Sequence, residues 1–259
     1  MTDLIKKFNS GEKIIGTLTH MKSSSAIEVL GLTGIDFVML DMEHNLLSND
    51  EISRYITSAS AAGLPAFVRV SSGTREHILH MLDYGATGIV VPSISTVEQV
   101  KEIIKYAKFM PVGERGYCMT RDGKWGFSNE SVNGLSSYMS YCNQNTFLIP
   151  QCETVGCLEH IEEITALDGV DAILIGPYDL SIDMGIAGQF DNPLLKNAIE
   201  RILSACRKNK KMAINFSGTP ELAAKSLKDG FDAVLYGIDI IMYINMYKNA
   251  VSQIKELIK

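Results

Sequence analysis

The chain has 259 residues, of which 46% are hydrophobic and 21% are charged, and its formal net charge is −6. A chain of this length and composition can bury a full hydrophobic core, which excludes disordered and low-complexity classes. The acidic balance and the lack of a basic block argue against nucleic acid as a partner, because nucleic-acid binders carry clustered Lys and Arg.

Neither a membrane span nor a secretion signal is visible in the sequence. No run of about 20 predominantly apolar residues could cross a bilayer, and the N-terminus lacks the apolar region of a signal peptide. The five cysteines are odd in number and form no C-x-x-C pair; they are Cys118, Cys142, Cys152, Cys157 and Cys206. This usage favours a reducing compartment over a disulfide framework, so we expect a soluble cytoplasmic protein with no membrane partner.

Short β-branched runs alternate with helical stretches along the chain. The pattern predicts eight strands, near residues 14–20, 37–43, 66–71, 88–93, 147–153, 171–176, 212–216 and 232–236. It predicts helices near residues 24–33, 49–62, 74–84, 96–109, 155–167, 193–209, 220–229 and 239–258, with helix N-caps at Ser48, Ser95 and Ser217. Eight such β/α units predict an α/β fold, a closed (β/α)₈ barrel of the TIM type, with residues 1–259 as a single domain.

Two segments depart from a minimal barrel. Residues 110–145 are too long for one β/α link and contain Trp125 and a short helical patch near 130–142. Because long loops of this kind usually cover a site, we expect this segment to do so. The final helix carries apolar residues on more than one face, which predicts a subunit interface.

Polar residues follow six of the predicted strands. The active groups of a barrel come from the C-terminal ends of its strands, so these residues should converge at one mouth. They are His20, the stretch from Asp41 to His44, Arg69, Gln151 with Glu153, the stretch from Gly176 to Asp179, and Asp239.

Two of these carboxylates are candidates for binding a metal. Glu153 and Asp179 follow neighbouring strands, and hard divalent cations prefer oxygen ligands. Each could instead cap a helix or turn. Arg69 ends an inward-facing strand and needs an anionic partner, in the substrate or in the protein.

His44 is a candidate general base, because an imidazole titrates close to neutral pH. His77 and His80 lie on an outer helix, where a solvated face explains them. A Schiff-base aldolase needs a lysine near the substrate, and the fifth and sixth strands contain none, so a metal-stabilised enolate is preferred. No G-x-S-x-G, H-E-x-x-H or G-x-G-x-x-G motif occurs, which disfavours hydrolase, zinc protease and dinucleotide-binding functions.

Four stretches, in the expected order, resemble the HpcH/HpaI aldolase family. They are Val38-Met39-Leu40-Asp41-Met42-Glu43-His44, Pro65-Ala66-Phe67-Val68-Arg69, Gln151-Cys152-Glu153-Thr154 and Ile175-Gly176-Pro177-Tyr178-Asp179-Leu180-Ser181. The resemblance implies a class II pyruvate aldolase that cleaves a 4-hydroxy-2-oxo acid, either a 2-keto-3-deoxy sugar acid or a 4-hydroxy-2-oxo dioate, to pyruvate and an aldehyde. It also implies a divalent metal (Mg²⁺, Mn²⁺ or Co²⁺) and a homo-oligomer, a trimer or a hexamer.

The resemblance also implies roles for single residues. Glu153 and Asp179 match the family's metal ligands, with Gln151 beside them. His44 matches the base that removes the hydroxyl proton, and Asp83 matches the aspartate that partners this histidine.

The same resemblance assigns the groups that hold pyruvate. Arg69 matches the residue that steadies the pyruvate enolate. The backbone of Gly176, Pro177, Tyr178 and Asp179 matches the segment that holds the pyruvate carboxylate.

The long loop of residues 110–145 supplies a candidate residue for recognising the aldehyde. Arg121 can bind a distal carboxylate through two parallel hydrogen bonds while Trp125 closes the pocket. Tyr178 is bulky where the family often has a small residue, so the particular acid stays open.

Two alternatives remain at this point. One is a Claisen-type citrate- or malate-forming reaction with acetyl-CoA, for which Arg115, Arg121 and Lys124 could supply basic surface. The other is a non-catalytic metabolite-binding protein, which would not need His44 and Asp83 beside the metal ligands.

Overall fold

The computed structural model describes residues 3–259 and contains eight parallel strands that close into a barrel in chain order. The strands are β1 (Ile14–Thr19), β2 (Phe37–Asp41), β3 (Ala66–Arg69), β4 (Gly88–Val91), β5 (Phe147–Cys152), β6 (Ala172–Ile175), β7 (Met212–Ser217) and β8 (Ala233–Ile238). All eight predicted strands and the closed barrel are therefore confirmed, and no strand end differs from its predicted position by more than about two residues.

Helices surround the barrel. They are α1 (Asp3–Ser10), α2 (Ser24–Leu30), α3 (Asn49–Ala61), α4 (Arg75–Asp83), α5 (Val97–Ala107), α6 (Asn129–Val132), α7 (Leu135–Asn145), α8 (Val155–Glu159), α9 (Ile161–Ala166), α10 (Pro177–Asp183), α11 (Pro193–Lys208), α12 (Pro220–Asp229) and α13 (Asp239–Leu257). The sequence pattern missed α1 and α10 and merged α8 with α9.

One of the three predicted helix caps is confirmed. The Ser48 side chain accepts a hydrogen bond from the Glu51 amide and forms a capping box. The predictions for Ser95 and Ser217 were wrong, because Thr96 caps α5 and Thr219 caps α12. In both cases a threonine hydroxyl accepts from the amide of the third helical residue, the position that an N-cap must reach.

Aromatic rings fill the lower interior of the barrel. Phe67 lies between Phe37 and Phe147, with ring centroids 4.9 Å and 5.4 Å apart. Glycines make room for these rings, because a Cβ on Gly16 would stand 2.3 Å from Phe37 and one on Gly88 would stand 2.7 Å from Phe147. The strands can therefore close only with glycine at these inward positions.

The inward-facing side chains become polar at the C-terminal ends of the strands. Because side chains alternate along a strand, the inward-facing residues of β2 are Phe37, Met39 and Asp41. The last inward-facing residue of β5 is Gln151. The apolar layers below thus support a polar layer at one end of the barrel, where the site is built.

The long segment 110–145 lies at the opposite end. It follows α5 and precedes β5, and helices of a β/α barrel run antiparallel to the strands, so this segment joins the barrel where the strands begin. The segment, which was expected to cover a site, therefore does not cover the site of its own chain. Its predicted helical patch is present as α6 and α7.

The final helix contacts the barrel strands β1 and β8 but is exposed along its length. Measured against residues 3–259, α13 buries none of its side chains, and its apolar residues stay exposed, among them Ile240, Ile244, Tyr247, Val251 and Ile254. Within that same described range, no helix combines the length and the apolar character needed to cross a bilayer.

Gly16→Ala should lower the free energy of unfolding by about 1–3 kcal/mol, because the added Cβ collides with the Phe37 ring, which is already packed against Phe67. Gly218→Ala is the matched control, since no atom lies within 4 Å of its added Cβ. Urea titration of both variants measures the difference. Equal stability of the two variants would contradict the packing described here.

Candidate active site

A buried ion pair joins the ends of β2 and β3. Asp41 and Arg69 are register partners, and Arg69 donates from Nε to Oδ1 and from Nη2 to Oδ2 of Asp41, both at 2.8 Å. The Asp41 side chain is fully buried and Arg69 is 8% exposed. The anionic partner that Arg69 was expected to need is therefore in the protein.

Two further groups extend this pair. His20 Nε2 lies 2.8 Å from Asp41 Oδ2, and the Glu43 amide donates to Asp41 Oδ1 at 3.0 Å. Glu43 Oε2 lies 3.2 Å from Arg69 Nη1, within ion-pair range, but it makes no hydrogen bond to any described residue.

The charges around Asp41 and Glu43 set their protonation. Burial works to raise the pKa of Asp41, but hydrogen bonds and attraction from Arg69 outweigh it, and the pKa is lowered. The pKa of Glu43 is raised, chiefly by burial and also by the Glu153 charge, although Arg69 opposes the change. The surroundings thus favour the ionised form of Asp41 and disfavour the ionised form of Glu43.

A second carboxylate pair follows β5 and β6. Glu153 Oε1 accepts from the Ser93 amide at 2.6 Å, and Gln151 Nε2 donates to Oε2 of the same carboxylate. Burial raises the pKa of Glu153, and the nearby charge of Asp179 raises it further. A Cβ on Gly176 would stand 2.8 Å from Glu153 Oε2, so only glycine lets the end of β6 approach this carboxylate.

These residues fit a divalent cation. Glu153 is buried, Asp179 is exposed, and the two carboxylates repel each other, while Gln151 Oε1 is buried without a hydrogen-bond partner in the described chain. No group of three or more His, Cys, Asp or Glu residues within 3–259 could hold a metal by itself. A Mg²⁺-type ion that takes one or two carboxylates and completes its shell with water and substrate oxygens suits such a donor set.

The turn from Gly176 to Asp179 starts α10. Pro177 occupies the first turn, and no side chain caps this helix end. Pro177 has no N–H, so the amides of Tyr178 and Asp179 are the donors that the turn can offer to an anion. The Tyr178 ring packs edge-on against Phe190, at a centroid distance of 4.7 Å, and is about half exposed.

The predicted contact between His44 and Asp83 does not occur within one chain. His44 follows β2 at the mouth, is 61% exposed, and has Glu43 as its nearest ionic neighbour, at 3.8 Å. Asp83 ends α4, at the opposite end of the barrel, and accepts from Arg115 Nη2 at 2.8 Å. An α4 of nine residues separates the two positions by about 13 Å along the barrel axis.

Arg121 also lies away from the chain's own mouth, which corrects the prediction for it. Its Nη1 donates to the Tyr84 carbonyl at 3.1 Å, just past the end of α4. Arg121, Trp125 and Asp83 line one cleft of about 560 Å³ against α3. The connectivity could have revealed this, since a segment between a helix and the next strand lies at the N-terminal end of a barrel.

Sequence reasoning gave no role to three residues that the structure places in the site: His20, Asp41 and Glu43. The available signal was the period-2 alternation, which continues the inward phase of Ile14 and Leu18 to His20. The pairing of Leu18 with Met39 then places His20 beside Asp41.

Comparison with protein families and known proteins gives a consistent result. The family model described as HpcH/HpaI aldolase/citrate lyase matches residues 17–246. A 2-keto-3-deoxy-L-rhamnonate aldolase from Klebsiella pneumoniae is 28% identical over 235 residues, which cover 90% of this chain and 85% of that protein. A protein of the same name from Escherichia coli K12 is 25% identical over 240 residues, covering 92% and 87%.

Solved structures of similar fold include members of the same family. An HpcH/HpaI aldolase from Desulfitobacterium hafniense has a TM-score of 0.90 at 27% identity, covering 98% of this chain and 96% of that one. The citrate synthase SbnG has a TM-score of 0.86 at 25% identity, covering 97% and 96%.

Asp41→Leu should destabilise the protein by about 3–5 kcal/mol, because the buried Arg69 guanidinium loses both of its hydrogen bonds to Asp41 and keeps only the ion-pair contact with Glu43. The double variant Asp41→Leu/Arg69→Met removes both charges and should regain most of that loss. Urea unfolding of the two variants and the wild type tests this. A double variant no more stable than Asp41→Leu would rule out the pair as the cause.

Proposed function

The chain belongs to the HpcH/HpaI aldolase/citrate lyase family and is an aldolase, and we propose that its substrates are 2-keto-3-deoxy sugar acids. The observation that carries the proposal is the polar layer at the barrel mouth, where a guanidinium lies beside two groups of carboxylates. A cation site next to a fixed positive charge suits an enolate, whose negative charge appears as the C3–C4 bond breaks. The rhamnonate aldolase relatives support the sugar-acid class.

Glu153 and Asp179 are the residues that would hold the metal, with Gln151 beside them. We place Mg²⁺, Mn²⁺ or Co²⁺ there. A divalent ion supplies Lewis-acid polarisation of the 2-oxo group.

Arg69 would steady the pyruvate enolate. Two of its nitrogens are fixed on Asp41, which leaves Nη1 directed towards Glu43 and the mouth. The amides of Tyr178 and Asp179 would bind the pyruvate carboxylate, because the first turn of α10 has no side-chain cap. Both contacts orient the 2-oxo acid before bond cleavage.

His44 would remove the proton of the C4 hydroxyl. The C–O bond then becomes the aldehyde carbonyl, and the electron pair of the C3–C4 bond passes into the enolate. Such assistance typically contributes about 10²- to 10⁴-fold to the rate.

We propose that Asp83 reaches His44 of a neighbouring subunit. Within a chain the two lie at opposite ends of the barrel, while Asp83 and Arg121 line a surface cleft that a second subunit can contact. The exposed apolar face of α13 supplies a self-association surface of its own. A trimer or hexamer would then complete each site from two subunits.

Removal of the metal-ligand charge gives one test. Glu153→Gln should weaken Mn²⁺ binding by about 100-fold and abolish release of pyruvate from a 2-keto-3-deoxy sugar acid. Electron paramagnetic resonance of free Mn²⁺ measures the binding. Glu162→Gln, which alters a surface ion pair with Arg201, is the matched control and should change neither. Unaltered Mn²⁺ binding by Glu153→Gln would reject the ligand assignment.

Subunit mixing tests the shared site. His44→Ala and Asp83→Ala should each be nearly inactive, yet when the two are co-expressed, random assortment gives about a quarter of the sites both intact residues. Pyruvate release by the mixed oligomer should recover accordingly. Activity no higher than that of the separate variants would mean that the two residues do not meet between subunits.

A further inference from the structure

An aldol cleavage requires two proton transfers at different atoms. One removes the C4 hydroxyl proton, and the other delivers a proton to C3 of the enolate so that pyruvate can leave. The proposed function gives the first to His44 and leaves the second without a donor. Another group at the mouth must therefore exchange this second proton.

His20 is fixed at the end of β1 with its ring in the polar layer. Its amide donates to Asp239 Oδ1 at 2.7 Å, and its carbonyl accepts from Asn45 Nδ2 at 3.1 Å. Its side chain is 23% exposed and contacts Asp41 through Nε2. Backbone and ring are therefore both held, while one edge of the ring stays open to the mouth.

The contact with Asp41 determines which ring nitrogen of His20 is free to act as a base. Asp41 is held ionised by Arg69, and a carboxylate only accepts hydrogen bonds. The proton of neutral His20 must then lie on Nε2, which leaves the Nδ1 lone pair with no hydrogen-bond partner among residues 3–259. A base whose other nitrogen is oriented by a buried carboxylate is the arrangement that activates histidines in general acid–base catalysis.

The position suits the enolate carbon. Arg69 Nη2 and His20 Nε2 contact the same oxygen of Asp41, each at 2.8 Å, so the imidazole lies beside the guanidinium proposed to steady the enolate. His44 is less constrained, because its ring is 61% exposed and 3.8 Å from its nearest charged group.

We propose that His20 is a second acid–base residue, which transfers the proton between its Nδ1 and C3 of pyruvate. In the cleavage direction, imidazolium Nδ1 gives its proton to C3, the electron pair of the enolate C=C forms the new C–H bond, and the 2-oxo group is restored. In the reverse direction, Nδ1 takes a methyl proton, and Asp41 stabilises the imidazolium. This assignment rests on the proposed aldolase function.

Two assays separate the two proton transfers. Exchange of the pyruvate methyl protons in D₂O, followed by ¹H NMR with Mg²⁺ and no aldehyde, reports transfer at C3. Single-turnover release of aldehyde from a 2-keto-3-deoxy sugar acid reports cleavage. His20→Gln keeps an N–H donor for Asp41 but lacks a base, so exchange should fall by about 10²-fold or more while aldehyde release stays within a few-fold of wild type.

Two other histidine variants complete the comparison. His44→Gln should show the reverse pattern, with exchange retained and aldehyde release lost. His160→Gln, on the outer helices and paired with Glu163, is the control and should change neither rate. If His20→Gln exchanges at the wild-type rate, or loses exchange and cleavage equally, His20 does not exchange the C3 proton.

The tautomer gives a readout that does not depend on turnover. ¹⁵N NMR of histidine-labelled protein, assigned with His20→Gln, should show His20 as the Nε2–H form. The Nδ1–H form would overturn the proposal even if the enzyme cleaves its substrate. Conversely, wild-type protein that shows the expected tautomer and exchanges pyruvate, but cleaves no 2-keto-3-deoxy sugar acid, would reject the proposed substrate class and leave the His20 assignment supported.

Discussion

The buried ion pair between Asp41 and Arg69 is the interaction on which the mouth of the barrel depends. A guanidinium with 8% exposure is tolerable only with a well-aligned anion, and the register of β2 with β3 supplies one through two parallel hydrogen bonds. Once Asp41 is fixed as an anion, it also orients His20 and the Glu43 amide. The Asp41 carboxylate therefore orients the Arg69 guanidinium, the His20 imidazole and the backbone of Glu43, the residue before His44.

The excess of carboxylates over basic groups at the barrel mouth favours the binding of a cation. Three carboxyl groups, Asp41, Glu43 and Glu153, interact with the Arg69 guanidinium, Asp179 adds its charge beside Glu153, and burial raises the pKa of Glu43 and Glu153. A divalent ion would relieve this repulsion, and a 2-oxo acid bound to it would add the oxygen ligands that two carboxylates leave open. The excess of negative charge at the mouth would in this way favour binding of the metal ion, and the metal ion would in turn stabilise the enolate.

The barrel and most of the mouth could be predicted from sequence because both depend on local patterns. Eight apolar runs with period-2 phase gave all eight strands, and strand ends gave Arg69, Glu153 and Asp179 together. The positions that the sequence could not give depend on connectivity or on other subunits. Asp83 and Arg121 were assigned by motif and composition, but Asp83 ends α4 and Arg121 follows α5, so a single chain places both at the end of the barrel away from its own mouth. His20 was placed at the mouth from the sequence but was given no role, because its hydrogen bond to Asp41 joins β1 and β2, which composition does not reveal.

The polar layer at the strand ends should bind a divalent ion and a 2-oxo acid side by side. A crystal structure with Mn²⁺ and oxalate, a stable mimic of the pyruvate enolate, tests it most directly through the anomalous signal of the metal. We expect a Mn²⁺ peak between Glu153 and Asp179, with oxalate bound between the metal and the Arg69 guanidinium. A Mn²⁺ peak elsewhere, or oxalate bound away from Arg69, would contradict it.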